Sequence, residues 1–263
     1  METLRKYSTI AFVSLSNAVA YRVSVYARFC FYTLMIYVFM SLWRTIYTDG
    51  SIAGYTFTQM VWYLIMTEFV TFASGTSIVV TISDEVKTGS LAYHLSRPTH
   101  YVFYHLASTV GQVLVNAFGF GVLAVVLGFV FVGPLTTFAW AGLVPLLLSV
   151  SMGLLLHFFI LILIGLSAFV LEDNYGLYLI YQKSTFMLGM LLPIEFLPPW
   201  LQAIARRLPF PYVCWAPAKI FVDYSPTVGL ELLSHQSLWL CATVVLTLLA
   251  YRLCVRRLQI NGG

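Results

Sequence analysis

The run LASTVGQVLVNAFGFGVLAVVLGFVFV, residues 106–132, holds 27 residues and not one Asp, Glu, Lys or Arg. As a helix rising about 1.5 Å per residue it reaches roughly 40 Å, more than the roughly 30 Å hydrocarbon core of a bilayer. Comparable apolar runs lie on either side of it, at 23–43, 57–80, 140–170, 175–192 and 237–255. Six spans of about 20 residues each consume most of a chain of 263 residues. Composition agrees, with 60% hydrophobic and only 9% charged residues, where soluble domains carry roughly a quarter charged, and with a mean hydropathy of +0.88. A soluble globular protein is excluded. The expectation is an all-α membrane protein, one transmembrane domain over 1–263, without room for a second, soluble domain.

The breaks between runs are 44–56 with Asp49-Gly50, the charged stretch 83–105, Gly133-Pro134, Glu172-Asp173-Asn174, and a long piece over 193–236. An even number of spans puts both termini on one side. With cytoplasmic termini the inner segments hold Arg5, Lys6, Arg22, Lys87, Arg97, Arg252, Arg256 and Arg257, and the outer ones only Arg44, Arg206, Arg207 and Lys219. The excess of inner Lys and Arg favours that orientation. The 175–192 run is the shortest span. Seven of ten prolines fall in 193–236, so this largely apolar piece cannot be one continuous helix. Pro198-Pro199 can open a short helix with Leu201, Ile204, Ala205 and Leu208 on one face. Two readings stay open for it, a re-entrant hairpin capping a cavity and a surface-lying loop.

At the start, Arg5 and Lys6 precede an apolar stretch and Ala18-Val19-Ala20 imitates a cleavage site, yet Arg22 and Arg28 follow. An uncleaved amphipathic segment over 1–22, lying on the inner membrane surface, fits better. The formal charge of +4 is scattered along the chain, which gives no support to a nucleic-acid face. Cys30, Cys214, Cys241 and Cys254 lack any metal-ligand or redox spacing and read as small packing residues,.

Polar residues inside the spans recur at helical spacing. His105, Ser108, Gln112, Asn116 and Gly119 share a face of the third span, and Tyr175, Tyr178, Gln182, Thr185 and Gly189 share one of the fifth,. The second offers Met60, Tyr63, Thr67, Thr71 and Ser74, and the first Tyr26, Cys30, Thr33 and Tyr37. Such stripes serve interhelical hydrogen bonding or line a shared path. Glu68 and Lys183 lie near mid-span, where a lone charge is costly. The expectation is that they pair, within the chain or across a dimer, or bind a polar group of a substrate. His157 reads as a hydrogen-bonded packing residue.

No G-x-x-x-x-G-K-[ST] run occurs, so the chain does not bind ATP by a P-loop,. Gly119-Phe120-Gly121-Val122-Leu123-Ala124 imitates a dinucleotide fingerprint, but inside an apolar span without a preceding strand,. A nucleophile elbow and H-E-x-x-H are also absent,.

The inward loop, 81–105, contains ISDEVKTGSLAYHLSRP over 82–98. It reads as a short helix stopped by Pro98, with Leu91 and Leu95 on one face and His94, Arg97 and the acids beside them, a knob for a soluble partner's groove. A solvated loop with a membrane-lying helix is the other reading. Here the sequence resembles the ABC-2 type permeases, the membrane subunits of type-2 ABC exporters. The matching pieces are the acid, Gly89-Ser90-Leu91 and Leu95-Ser96-Arg97-Pro98 after the second span, Ala53-Gly54-Tyr55-Thr56 with Trp62-Tyr63-Leu64, and Tyr181-Gln182-Lys183. Leu192-Pro193, Leu197-Pro198-Pro199-Trp200-Leu201, Leu208-Pro209-Phe210, Gln236, Trp239, Arg256-Arg257 and Asn261-Gly262-Gly263 follow in order.

The resemblance implies a six-span subunit with an N-terminal interfacial helix, a coupling helix over 85–98 and an outer re-entrant helical hairpin before the last span. It implies two separate P-loop ATPase subunits, which would hold ATP and Mg²⁺, and a second permease subunit, identical or paralogous. No metal or cofactor and no catalytic residue is expected on this chain. Coupling would fall to Glu85, Gly89, Leu91, His94, Leu95, Arg97 and Pro98. A path, or buried polar contacts, would fall to Tyr63, Thr67, Glu68, Gln112, Asn116, Tyr178, Gln182 and Lys183. The expected activity is ATP-driven export of a hydrophobic or amphipathic small molecule across the cytoplasmic membrane of a prokaryote. An ion-coupled secondary carrier and a non-transporting membrane assembly protein are the alternatives.

Overall fold

The computed structural model describes residues 2–20, 22–48, 50–75, 78–95, 99–171 and 173–261. It is helical apart from one two-residue hairpin, β1 (Ser51–Ile52) paired antiparallel with β2 (Tyr55–Thr56). The helices are α1 (Glu2–Ala20), α2 (Arg22–Ile46), α3 (Phe57–Ser74), α4 (Ile78–Lys87), α5 (Leu91–Leu95), α6 (Tyr101–Phe131), α7 (Leu143–Leu166), α8 (Tyr175–Thr185), α9 (Pro199–Ala205), α10 (Pro211–Val222) and α11 (Pro226–Asn261). A π turn, Phe186–Met190, continues α8.

Among the described residues, five helical stretches are long and apolar enough to cross a membrane: Val25–Ile46, Phe57–Lys87, Tyr101–Phe131, Trp140–Phe169 and Pro226–Arg256. The expected sixth, 175–192, forms α8 and its π turn, 16 residues in all. At about 1.5 Å per residue that is roughly 24 Å, short of the bilayer core by length alone.

Three boundaries differ from those read in the sequence, each for a local reason. The last long helix starts at Pro226, not at 237. Proline is tolerated in a first turn, and Gln236, read as a break, is a buried helical residue. Its side chain donates to the Ser149 and Tyr212 carbonyls at 3.1 and 2.8 Å and accepts from the Ser149 hydroxyl at 2.8 Å. The piece read as 193–236 therefore ends at 225 and holds the short helices α9 and α10. The second run is interrupted at Gly75, whose φ of +69° favours glycine,, and α4 then carries helix through Lys87 into the expected loop. The third long helix begins at Tyr101 instead of 106.

The core is built around α3, capped at its start by Thr56 and Gln59, whose side chains each hydrogen-bond the other's backbone N–H,. Thirteen of its 18 residues are buried. It packs against α2, α6 and α10, and α10 also packs on α7. Closeness demands glycine at two crossings: a Cβ on Gly128 would lie 2.1 Å from the Trp62 ring, and one on Gly153 would lie 2.5 Å from the Val213 carbonyl oxygen. Proline-rich α10 is thus central, with Tyr212, Trp215 and Ile220 buried. α1 runs along α6, where the Ser14 hydroxyl donates to the Ser108 carbonyl. Of the four cysteines expected in packing positions, Cys214 and Cys254 are buried, whereas Cys30 and Cys241 lie on the surface.

Candidate functional site

The segment after α4 turns sharply because Gly89 has φ +71°, a conformation that a side chain would strain. The Thr88 hydroxyl donates to the Asp84 carbonyl at 2.7 Å and closes the end of α4. The chain then enters α5, and Glu85 ties the parts together. Its carboxylate accepts from the Tyr101 hydroxyl at 2.5 Å, and lies 3.3 Å from His105 Nε2 and 3.4 Å from His94 Nε2. One acid on α4 thereby holds α5 and the start of α6. Tyr101 stacks on Tyr251 of α11, centroids 5.6 Å apart, which extends the knot to the last helix.

Leu91 was expected on an outward knob. The structure corrects this: Leu91 is 2% exposed and packs with Ile82, Tyr101, Val102 and Phe158. A five-residue helix has one apolar side to bury, and here the bundle takes it. The exposed side instead presents Tyr93, at 63%, with Thr88, Gly89 and Ser90 beside it. Arg97 and Pro98 lie outside the described residues, as does the side chain of Leu95.

Deeper in the bundle, the π turn offers carbonyls that an α-helix would use internally. The Tyr63 hydroxyl donates to the Gly189 carbonyl at 2.7 Å, and the Thr67 hydroxyl to that of Met190 at 3.2 Å. The expected stripe of α3 is thus a seam between α3 and the end of α8. Asn116 is buried, with its carbonyl oxygen 3.3 Å from Arg28 Nη1 and its amide donating to the Ala73 carbonyl. Arg28 also donates to the Phe72 carbonyl and sits over the Phe120 ring. That anchoring role for Arg28 was not read from the sequence, since only its position inside a span marked it. Gln112 is exposed and borders a polar cavity of about 120 Å³ with Ser74, Thr81, His105 and His157. His157 Nδ1 lies 2.5 Å from the Tyr181 hydroxyl.

Pairing of Glu68 with Lys183 inside one chain is not found. Glu68 is 1% exposed and neither carboxylate oxygen has a hydrogen-bond partner among the described residues. On α8 the core-facing positions are Tyr181, Thr185 and Gly189, which turns Lys183 to the exposed side. Gln182 donates to the Tyr178 hydroxyl at 2.7 Å, and both are half-buried at the edge of that face.

At the other end of α3, Glu195 accepts from the Tyr55 hydroxyl and the Trp215 indole, 3.2 and 3.3 Å away. Lys219 lies 3.4 Å from Glu195, 2.7 Å from Asp223 and 4.8 Å from the Tyr55 ring centre. Burial, and then the adjacent Glu195 charge, push the Tyr55 hydroxyl well above its ordinary ionisation range,. This knot fastens the hairpin, the 194–196 turn and α10. It went unread in the sequence because Tyr55 lies 140 residues from Glu195.

Long apolar helices packed around α3, with a polar knot at each end of that helix, define a multi-pass membrane protein without a nucleotide-binding motif. Residues 16–262 match the sequence profile described as ABC-2 family transporter protein, and the chain belongs to that family. Membership makes it a membrane permease of an ABC transporter, of a kind normally non-catalytic and associated with ABC ATPase subunits in the transporter complex. A search of curated proteins finds no match.

Proposed function

We propose that this chain is the permease subunit of an ATP-driven exporter for a hydrophobic or amphipathic small molecule. It would work with two P-loop ATPase subunits and a second permease subunit, in the cytoplasmic membrane of a prokaryote with both termini inside. The observation that carries the reading is the mounting of α5. Glu85 and Leu91 fix it to α4, α6 and the base of α7, while Tyr93 and the 88–90 turn face outward. A push on that turn is delivered through buried contacts into three helices at once, since close-packed interiors transmit strain. Gly89 and His94 shape and brace the contact; Leu95, Arg97 and Pro98 are assigned to it from the sequence alone.

Movement of α4 and α6 reaches α3, whose Tyr63 and Thr67 grip the π turn and so α8. The exposed face of α8 with Lys183, edged by Tyr178 and Gln182, is the surface we assign to the path. Gln112, exposed on α6, is assigned to the opposite side, while buried Asn116 ties α6 to Arg28 and the Ala73 carbonyl. The ion-coupled alternative needs Glu68 and Lys183 in communication, and their separation speaks against it.

The test is purification from mild detergent. Two P-loop ATPase chains should accompany the permease, and Tyr93→Ala should lower permease-stimulated ATP hydrolysis at least tenfold while the protein still inserts. Transport by the chain alone in liposomes, without nucleotide, would overturn the reading.

A further inference from the structure

Lys183 sits eight residues into a 16-residue helical stretch, about 12 Å from its start. Gly176, Ile180, Lys183 and Met187 share one exposed face of α8 and its π turn, so the cation stands in an otherwise apolar stripe, with exposed Tyr175 and Leu177 beside it at the start of the helix. Among the described residues no carboxylate pairs with it. Glu85, Glu195 and Asp223 are engaged elsewhere and Glu68 is enclosed. Asp173 is ten residues, about 15 Å, back along the helix. A charge so placed on an apolar face at this depth calls for a partner of opposite sign.

One helical turn before Lys183, Ile180 lines a groove of about 600 Å³ between α7, α8 and α11, with Ile164, Leu177, Phe210 and Leu253. Its walls are almost wholly apolar and its size falls in the range of small-molecule sites, about 300–1,000 Å³. The groove runs from Val170 and Cys254, at the α5 end of the bundle, towards Ile160 and Phe210. Lys183 is not itself in the wall of this groove, but residues three apart on a helix are neighbours, which puts it one turn deeper than Ile180 and beside the groove's inner end.

We propose that groove and lysine together bind an amphipathic carboxylic acid, its apolar body along α7, α8 and α11 and its carboxylate on Lys183. This rests on the exporter reading and names its substrate class. The polarity of the site argues against a resident phospholipid, whose charged headgroup stays at the membrane surface with its chains pointing inward. Here the cation is deep and the apolar groove runs back towards the surface.

The test uses 11-(dansylamino)undecanoic acid and its primary amide, with the full chain in phosphatidylcholine nanodiscs and empty discs as background. The acid should bind saturably and at least tenfold more tightly than the amide. Lys183→Gln should weaken the acid to the level of the amide, Lys183→Arg should retain it within threefold, and Ile180→Trp should remove both by filling the groove. Equal binding of acid and amide by the unaltered chain overturns the proposal, whatever the folding of the variants. So does an unchanged affinity in Lys183→Gln, and so does displacement of the probe by phosphatidylglycerol, which would mark a lipid site. No nucleotide or ATPase is present, so failure here leaves the exporter reading standing, and loss of the ATPase association leaves this result standing.

Discussion

If Glu85 is the tie between α4, α5 and α6, then it and Tyr101 must be energetically coupled. Tyr101→Phe removes a hydroxyl from a side chain that is 1% exposed and 2.5 Å from the carboxylate. A hydrogen bond to a charged acceptor contributes about 1.5–3 kcal/mol, and the Glu85 charge keeps partial access to water, so we expect about 1.5–2 kcal/mol. Glu85→Ala removes the same bond and strands the buried hydroxyl. It also loses two imidazole contacts at 3.3 and 3.4 Å, which at those lengths and with a carboxylate 14% exposed add about 1 kcal/mol together. Its cost is about 2.5–4 kcal/mol. In the double variant the shared bond is counted once, giving a coupling energy of about 1.5–2 kcal/mol. Thermal unfolding of the purified chain in detergent, followed by tryptophan fluorescence, measures all four proteins. For a domain of this size about 2–4 °C accompanies each kcal/mol, so Tyr101→Phe should fall by about 3–8 °C. Additivity of the two changes within about 0.5 kcal/mol would refute the tie.

Gly128→Ala should destabilise by about 2–4 kcal/mol, because a Cβ 2.1 Å from Trp62 Cη2 forces overpacking and strains the indole's bond to the Gly133 carbonyl,. Gly176→Ala, with open space around its Cβ, should be neutral or gain up to about 1 kcal/mol of helix propensity; the same melting assay reports both. Tyr55 stays protonated in the folded chain while an unfolded tyrosine ionises near about pH 10, so its contribution is complete below that pH and is lost as pH rises towards the folded value. Tyr55→Phe should therefore make the decline in stability above about pH 10 shallower, read by unfolding across pH 8–11.

The long apolar runs, the absence of nucleotide motifs and the stretch around Gly89 were legible because each is local: length, hydropathy and a turn-forming glycine act within a few residues. Lys183, too, announced itself as a charge inside a span. The folded chain alone could decide direction and partnership. Leu91 turned inward because α5 has one apolar side and α7 lies beneath it. Lys183 turned outward because Tyr181, Thr185 and Gly189 occupy the inner face of α8. Gln236 continued a helix instead of breaking it because Ser149 and Tyr212, distant in sequence, satisfied its amide. Hydropathy determines that a segment enters the membrane. Which side of each helix meets protein depends on partners brought together from across the chain, and only close packing fixes those.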